Sequence, residues 1–241
     1  MASSGKRIAR KDRERAILDI ATQYFAEVGF QGQMRELARR IGVSPALLFK
    51  YFSTKEALVD RVCEEIYLQR WKPAWEEMLD DRELSLRDRL IRFYDDYVAT
   101  ALDSEWIRIF MYGSLAGNSF NRYYLSRIST RIIPRICKAL REEAHVAAEG
   151  DYTPGEIQLA WGLHGSVLYY LIERNIYGSS QEDPALVVRA RVASFLDGAP
   201  ASMESLGPGT VTGPGDAAEA EDAALNERMG GIFTMLRDRG D

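Results

Sequence analysis

The stretch from Arg35 to Glu56, RELARRIGVSPALLFKYFSTKE, most constrains the fold, because it has the pattern of two short helices joined by a tight turn. Apolar residues recur at helical spacing before Gly42, a residue type that commonly ends a helix. Ser44 and Pro45 then form a typical N-cap and first helical position. This order predicts a helix-turn-helix unit whose second helix lies in a DNA major groove, with an ordinary helical hairpin as the alternative.

Three segments carry a wider resemblance: ILDIATQYFAEVGF (Ile17–Phe30), MRELARRIGVS (Met34–Ser44) and LLFKYFSTKEAL (Leu47–Leu58). Together they resemble the N-terminal domain of the TetR/AcrR family of bacterial transcription regulators. The resemblance implies an all-α fold, with an N-terminal three-helix helix-turn-helix DNA-binding domain and a C-terminal helical ligand-binding and dimerisation domain. The chain departs from the family at Gly32 and Gln33, where relatives usually carry a Thr or Ser that caps the first helix of the motif.

The residues at the start of the motif's second helix are the ones placed to reach base edges. They are small or apolar, which favours contact with thymine methyl groups over bidentate hydrogen bonding. A basic residue in the preceding helix is a candidate for guanine or phosphate, and the resemblance implies DNA backbone contacts late in the second helix. A lysine at the start of the next helix is placed to hold a phosphate. The predicted DNA-contacting residues are Arg35, Ser44, Pro45, Ala46, Leu47, Phe49, Lys50, Tyr51 and Lys55.

Charge is distributed unevenly along the 241 residues. The whole chain has a net charge of −5, yet residues 1–60 contain 11 basic and 7 acidic residues, so positive charge accompanies the motif. Residues 199–241 contain 3 basic and 8 acidic residues. No apolar run approaches the roughly 18 residues that span a membrane, and two cysteines do not make a disulfide framework. We therefore expect a cytoplasmic protein that binds double-stranded DNA and does not associate with membranes.

Breaks in the helical pattern predict five segments. A basic flexible arm over 1–10 precedes the DNA-binding domain over 11–58, and a helical ligand-binding and dimerisation domain follows over 59–198. The run GAPASMESLGPGTVTGPG predicts a flexible linker over 199–216. An acidic tail over 217–241 would form at most a short helix.

The second domain is rich in tryptophan and tyrosine, whose polar atoms need partners when they are buried. This composition suits a cavity for a small apolar or aromatic effector, although for any single residue plain core packing is the favoured interpretation. His164 is open to the same two interpretations, and with two histidines in the chain we expect neither a metal site nor a cofactor. The candidate ligand-binding residues are Trp75, Trp106, Phe110, Tyr124, Trp161, His164, Leu168 and Tyr169.

Of two late helices, the one at about 155–176 is apolar on two sides, and the one at about 184–197 offers a further apolar face. Two such helices from each chain would form a four-helix homodimer interface, as the resemblance also implies. A dimer is what a helix-turn-helix protein needs to bind the two half-sites of a palindromic operator.

These patterns and the resemblance together predict a ligand-responsive transcription regulator. The resemblance implies a repressor, which a small hydrophobic or aromatic effector would release from its operator. The alternative is a constitutive dimeric DNA-binding or protein-interaction module without an effector. We expect no enzyme, since the sequence contains no Ser/His/Asp or Cys/His constellation and no glycine-rich phosphate loop.

Overall fold

The computed structural model describes residues 3–68, 70–102, 104–146 and 150–206. Regular structure in these residues is entirely helical, which confirms the predicted all-α class. The helices are α1 (Ser3–Val28), α2 (Met34–Ile41), α3 (Pro45–Tyr51), α4 (Lys55–Leu68), α5 (Ala74–Asp80), α6 (Leu86–Ala101), α7 (Ser104–Leu115), α8 (Ser119–Arg127), α9 (Ile133–Glu143), α10 (Pro154–Ile172) and α11 (Pro184–Ser205).

The chain divides into two compact units. The first unit contains the described residues up to Trp71 together with 101–121, and the second contains 72–100 and the described residues from 122 onward. Helix α7 therefore belongs with the N-terminal helices, although the sequence-based division placed it in the second domain. Gly29, directly after α1, lies close to α7, since an added Cβ would lie 3.1 Å from the Tyr112 ring. Gly29 also adopts a φ of 76°, which favours glycine.

The core of the first unit contains the apolar side of α1 and one buried leucine from each of the helices α2 and α3. Ile17 and Phe25 on α1 are at most 1% exposed, and Leu37 on α2 and Leu48 on α3 are fully buried. The helix itself begins at Ser3, so residues 3–10, which the sequence analysis placed in a flexible arm, are helical in the structure. The physical reason is the run of good helix formers between Lys6 and Arg15, which contains neither glycine nor proline.

In the second unit, α8 continues into α9 through the π-helical turn Ile128–Ile132. Pro134 follows this turn and has no N–H to donate to the preceding turn. The Ile133 N–H donates to the carbonyl of Ile128, five residues earlier, rather than to the residue four earlier as in an α-helix. This wider π-helical turn accommodates the proline that would otherwise break the helix.

The start of α10 is fixed by a buried ion pair and a capping box. Arg141 on α9 donates to both carboxylate oxygens of Glu156, at 2.6 and 2.7 Å. The hydroxyl of Thr153 and the Glu156 carboxylate each accept the other residue's backbone N–H. This bonding to Arg141 is the main reason that the pKa of Glu156 lies below its usual value.

Helix α11 extends to Ser205, so residues 199–205 are helical rather than part of the predicted linker. Pro200 lies inside this helix and removes one backbone hydrogen bond. Ala199 and Met203 are at most 2% exposed, and their burial offsets that loss. The rest of the predicted linker beyond Leu206, and the whole predicted tail over 217–241, lie outside the described residues.

Candidate nucleic-acid interface

Helices α2 and α3 are joined by the tight turn that the sequence predicts. Gly42 has φ 79° and ψ 30°, the left-handed conformation in which glycine ends a helix without strain. The Val43 N–H donates to the Ala38 carbonyl at 3.0 Å, which closes the turn. Ser44 then accepts the Leu47 N–H on its hydroxyl at 3.2 Å, and Pro45 is the first residue of α3. The predicted helix-turn-helix is confirmed.

The side of α3 opposite the buried Leu48 faces solvent. Ser44, Pro45 and Ala46 at its start are exposed, as are the later Phe49 and Lys50. The Phe49 ring is 44% exposed, which is unusual for a large apolar side chain. Of the other predicted DNA-contacting residues, Arg35 is exposed, and Leu47, Tyr51 and Lys55 are partly exposed. All nine are accessible, and their role in DNA contact stays a prediction.

The five cations between Met34 and Lys55 fall into two groups. Arg39 and Arg40 are held by carboxylates: Arg39 donates to Glu36 at 2.7 and 2.9 Å, and Arg40 donates to Glu27 at 2.5 Å. The hydrogen bond from Arg39 is the main reason that the pKa of Glu36 falls to about 2. By contrast, within the described part of the chain Arg35, Lys50 and Lys55 make no ion pair. We call these three residues the unpaired cations, and all three are among the predicted DNA contacts.

Helix α4 begins at Lys55, and Thr54, the residue before it, is its N-cap. The Thr54 hydroxyl accepts the Ala57 N–H at 3.0 Å. Ser53 and Thr54 both carry a hydroxyl that could cap this helix, and the spacing of Ser53 and Glu56 in the sequence favours a capping box from Ser53; in the structure Thr54 is the cap. Lys55 stands in the first turn, where the positive end of the helix dipole and free N–H groups favour an anion.

Helix α2 begins without a side-chain cap, as the sequence suggests. Gln33 occupies the N-cap position with φ −86° and ψ 131° but makes no capping hydrogen bond. The Tyr24 hydroxyl instead donates to the Gln33 carbonyl at 3.2 Å. Gly32 is required by this close approach, since a Cβ there would lie 2.5 Å from the Tyr24 ring. The ring of Tyr24 therefore positions the entry to α2.

The predicted ligand-binding residues do not fall in one unit. Trp106 and Phe110 belong to the first unit, where their rings stack at 5.2 Å with an interplanar angle of 6°. The other six belong to the second unit. Among these six residues, Tyr169 is 48% exposed whereas His164 is buried, so the two side chains do not share one buried site.

An aromatic cluster in the core of the second unit surrounds His164. The rings of Tyr94, Tyr97 and Trp161 lie 6.0, 5.1 and 5.5 Å from the imidazole. Neither the Tyr94 hydroxyl nor the His164 Nδ1 has a hydrogen-bond partner among the described residues, and both atoms are buried. Burial lowers the pKa of His164 to about 4, so its imidazole is neutral at physiological pH. The sequence-based prediction did not include Tyr94 and Tyr97, although their spacing of three on one helix places them on a shared face.

The outer face of α10 and α11 carries a groove of about 390 Å³. Its lining includes Gly162 and Ser166 from α10 and Arg191 from α11. A Cβ added at Gly162 or at Gly165 would meet nothing within 4 Å, so this face of α10 is open. These helices are the ones predicted to form the dimer interface.

Neither a cluster of potential metal ligands nor a membrane-spanning helix is found in the described part of the chain. Its residues contain no group of three His, Cys, Asp or Glu side chains that could hold a metal ion. None of its helices is long and apolar enough to cross a membrane.

Comparisons with known proteins agree with this architecture. Residues 17–62 match the sequence model of the family described as bacterial regulatory proteins, tetR family. The fold is similar to that of a TetR-like transcriptional regulator from Rhodococcus sp. RHA1, with 19% identity, a TM-score of 0.58, and coverage of 77% of this chain and 96% of the other. A TetR family transcriptional regulator, PfmR from Thermus thermophilus, gives 22% identity, a TM-score of 0.54 and coverage of 75% and 97%. A TetR family transcriptional regulator from Pseudomonas syringae pv. tomato str. DC3000 gives 17% identity, a TM-score of 0.52, and coverage of 77% of this chain and 95% of the other. At these identities the structural likeness shows a shared fold.

Proposed function

We propose that this chain, which belongs to the tetR family of bacterial regulatory proteins through its N-terminal domain, is a repressor that a small, mostly apolar effector releases from a palindromic operator. The family match supports a DNA-binding transcription regulator. Repression, the form of the operator and the response to an effector are the specific parts of the proposal. The single observation that carries DNA binding is an exposed, capped α3 accompanied by the unpaired cations.

The chemistry of the interface divides between phosphates and bases. The unpaired cations supply charge for phosphates, which gives affinity without sequence preference. Ser44 to Leu47 have no long donor or acceptor groups, so their sequence preference would come from contact with thymine methyl groups. Lys55 lies in the first turn of α4, where the free backbone N–H groups of that turn and the lysine ammonium group would together hold a phosphate.

We infer that the operator is bound by a homodimer formed through α10 and α11. Support comes from the open face of α10 and from exposed large apolar side chains on both helices, Tyr169 at 48% and Leu186 at 57%. The small residues Gly162 and Gly165 would let a second helix approach closely. Two protomers would then place two copies of α3 on successive half-sites, roughly 34–36 Å apart.

The aromatic cluster around His164 supports the effector part of the proposal. Buried polar atoms are nearly always hydrogen-bonded, and each one left without a partner costs on the order of 1–3 kcal/mol. The Tyr94 hydroxyl and the His164 Nδ1 would both be satisfied by an aromatic or apolar ligand that carries one or two polar groups. Such a ligand would shift operator affinity only by as much as its affinity differs between the DNA-binding and released conformations.

The first experiment is selection of bound DNA from a random pool by the full chain, repeated with Arg35→Ala, Lys50→Ala and, as a control, Arg61→Ala. Arg61 lies on α4 and is paired with Glu64, so its removal takes away a charge that is already neutralised. We expect a palindromic consensus that is enriched less by the first two variants and equally by the control. No enrichment above background at moderate salt would overturn the proposal.

The second experiment tests the dimer. A Cβ added at Gly162 or Gly165 would meet nothing within 4 Å, so we expect leucine at both positions to keep the fold and to block close approach of a partner helix. We expect the double variant to be a monomer by sedimentation, and Glu77→Leu, an exposed change on α5, to remain a dimer. A dimer that survives both leucines would place the interface elsewhere.

The third experiment tests the effector, with the selected operator and a panel of small aromatic compounds. An active compound should lower operator affinity, and Tyr94→Phe and His164→Phe should each reduce the ratio of affinities without and with the compound. If no compound changes operator affinity, the constitutive module without an effector becomes the better description.

A further inference from the structure

We propose that the second unit has a separate binding site for a compact oxyanion such as phosphate. The site is a polar pocket of about 120 Å³ between the end of α5, the start of α6 and one side of α9. Four of its side chains are cationic (Arg82, Arg89, Arg135 and Lys138) and two are anionic (Asp80 and Glu142). The site does not depend on the proposed function, and none of its residues belongs to the aromatic cluster.

The central observation is the state of Arg89. Its side chain lines the pocket, yet the residue is only 8% exposed. The Nη1 donates to the Leu79 carbonyl at 3.0 Å, whereas the Nε has no hydrogen-bond partner. No carboxylate of the described residues lies within ion-pair distance of this guanidinium. Buried charges are normally paired, because an uncompensated charge in the interior is strongly destabilising.

The other charged groups of the pocket cannot supply the missing partner, because they are already engaged. Asp80 accepts from Arg135 at 2.9 Å, and Glu142 accepts from Arg82 at 2.5 Å. Lys138 is exposed and makes no ion pair among the described residues. Arg89 and Lys138 thus leave two positive charges without counter-charges at one pocket. An anion that carries one or two negative charges would balance them.

The size and character of the pocket define the ligand class. A volume of about 120 Å³ holds several water molecules, since one water takes roughly 30 Å³ in the liquid. That is room for a compact oxyanion, and a lining of six charged residues out of eight does not suit the aromatic effector proposed above. Guanidinium groups donate paired, charge-assisted hydrogen bonds to phosphate oxygens, and an ammonium group adds a point charge. The shared chemistry is therefore an oxyanion, either free or as the phosphate group of a small metabolite.

The test is titration calorimetry of the full chain with inorganic phosphate, at an ionic strength held constant with chloride. We expect saturable binding at one site per chain, in the millimolar range or tighter. Lys138→Met, an exposed change that leaves the fold alone, should weaken binding about tenfold, which is about 1.4 kcal/mol. Arg89→Met should weaken it at least as much. The matched control is Arg92→Met on the same helix, because Arg92 lies outside the pocket and pairs with Asp81; it should change binding less than twofold.

Further arms separate the possible sources of the anion. Sulfate should compete with phosphate, since both present the same tetrahedral oxygens. Tighter binding of glycerol 3-phosphate than of inorganic phosphate would identify a phosphate ester as the ligand, and equal or weaker binding would identify the free ion. Absence of saturable heat with any of these ions, or equal weakening by all three variants, would overturn the proposal. If Arg89→Met fails to fold, the comparison of Lys138→Met with Arg92→Met still decides.

Discussion

Replacement of Lys50 by methionine gives the sharpest test of how this protein would hold DNA. Methionine keeps most of the length of the side chain and removes its charge. Lys50 is exposed, lies in the last turn of α3 and makes no ion pair among the described residues, so its removal disturbs no such interaction within the protomer. The change should therefore act on binding alone.

The magnitude follows from the number of unpaired cations. Each neutralised phosphate contributes about −0.9 to the slope of log affinity against log salt concentration. The three unpaired cations, present twice in the proposed dimer, predict a slope of about −5.4 for the wild type, or roughly a fortyfold loss of affinity between about 0.1 and 0.2 M salt. Lys50→Met removes two contacts, which lowers the slope to about −3.6 and the loss to roughly twelvefold.

Fluorescence anisotropy with a labelled operator, at five salt concentrations and pH 7.5, measures this slope. A scrambled duplex of the same length should show the same change, because a phosphate contact has no sequence preference. Arg61→Met is the control, since Arg61 is paired with Glu64 and should leave the slope unchanged. If Lys50→Met changed the slope by less than about 0.5, or if both variants changed it equally, unpaired charge would not predict phosphate contact here.

Two further predictions concern stability. Because burial lowers the pKa of His164 to about 4, the unfolded chain takes up a proton below about pH 6.5 while the native chain does not, and stability falls as the pH is lowered through this window. Urea unfolding at pH 7.5 and 5 should show that His164→Phe removes about 2 kcal/mol of this loss, and an unchanged pH dependence would contradict the assignment. Gln33 already has the extended backbone of an N-cap, so Gln33→Ser should accept the Glu36 N–H, add about 1 kcal/mol and raise the melting temperature by about 2–4 °C. Gln33→Ala is the control, and equal melting temperatures for the two variants would refute the missing cap.

The helix-turn-helix could be predicted from sequence because its determinants are local. Gly42 ends one helix, and Ser44 with Pro45 starts the next within three residues, so no distant contact is needed to place the turn. The exposed side of α3 then follows from helical spacing once Leu48 is identified as buried. The same reasoning cannot choose between Ser53 and Thr54 as the cap of α4, since both have the required hydroxyl.

The remaining features depend on contacts between distant parts of the chain. Composition identified the aromatic residues, but it could not assign Trp106 to the first unit and Trp161 to the second. Helical residues before Lys11 and after Gly198 were not predicted, because a basic run and a proline are typical of flexible segments. The sequence could not predict that Arg89 lacks an ion-pair partner among the described residues, since a partner can be found or excluded only once the fold is known.

The second unit contains two buried arginines, Arg141 and Arg89, whose hydrogen-bond partners can be compared directly. Arg141 is as buried as Arg89, at 5% against 8% exposed, yet it donates to Glu156 and to the carbonyls of Gly150 and Asp151. Where a buried cation is part of the framework, this fold therefore provides a carboxylate and backbone acceptors. Arg89 has one backbone acceptor and, among the described residues, no carboxylate. The contrast is difficult to explain by burial alone and is what an anion-binding site predicts, because a carboxylate supplied by the protein at that point would exclude the ligand.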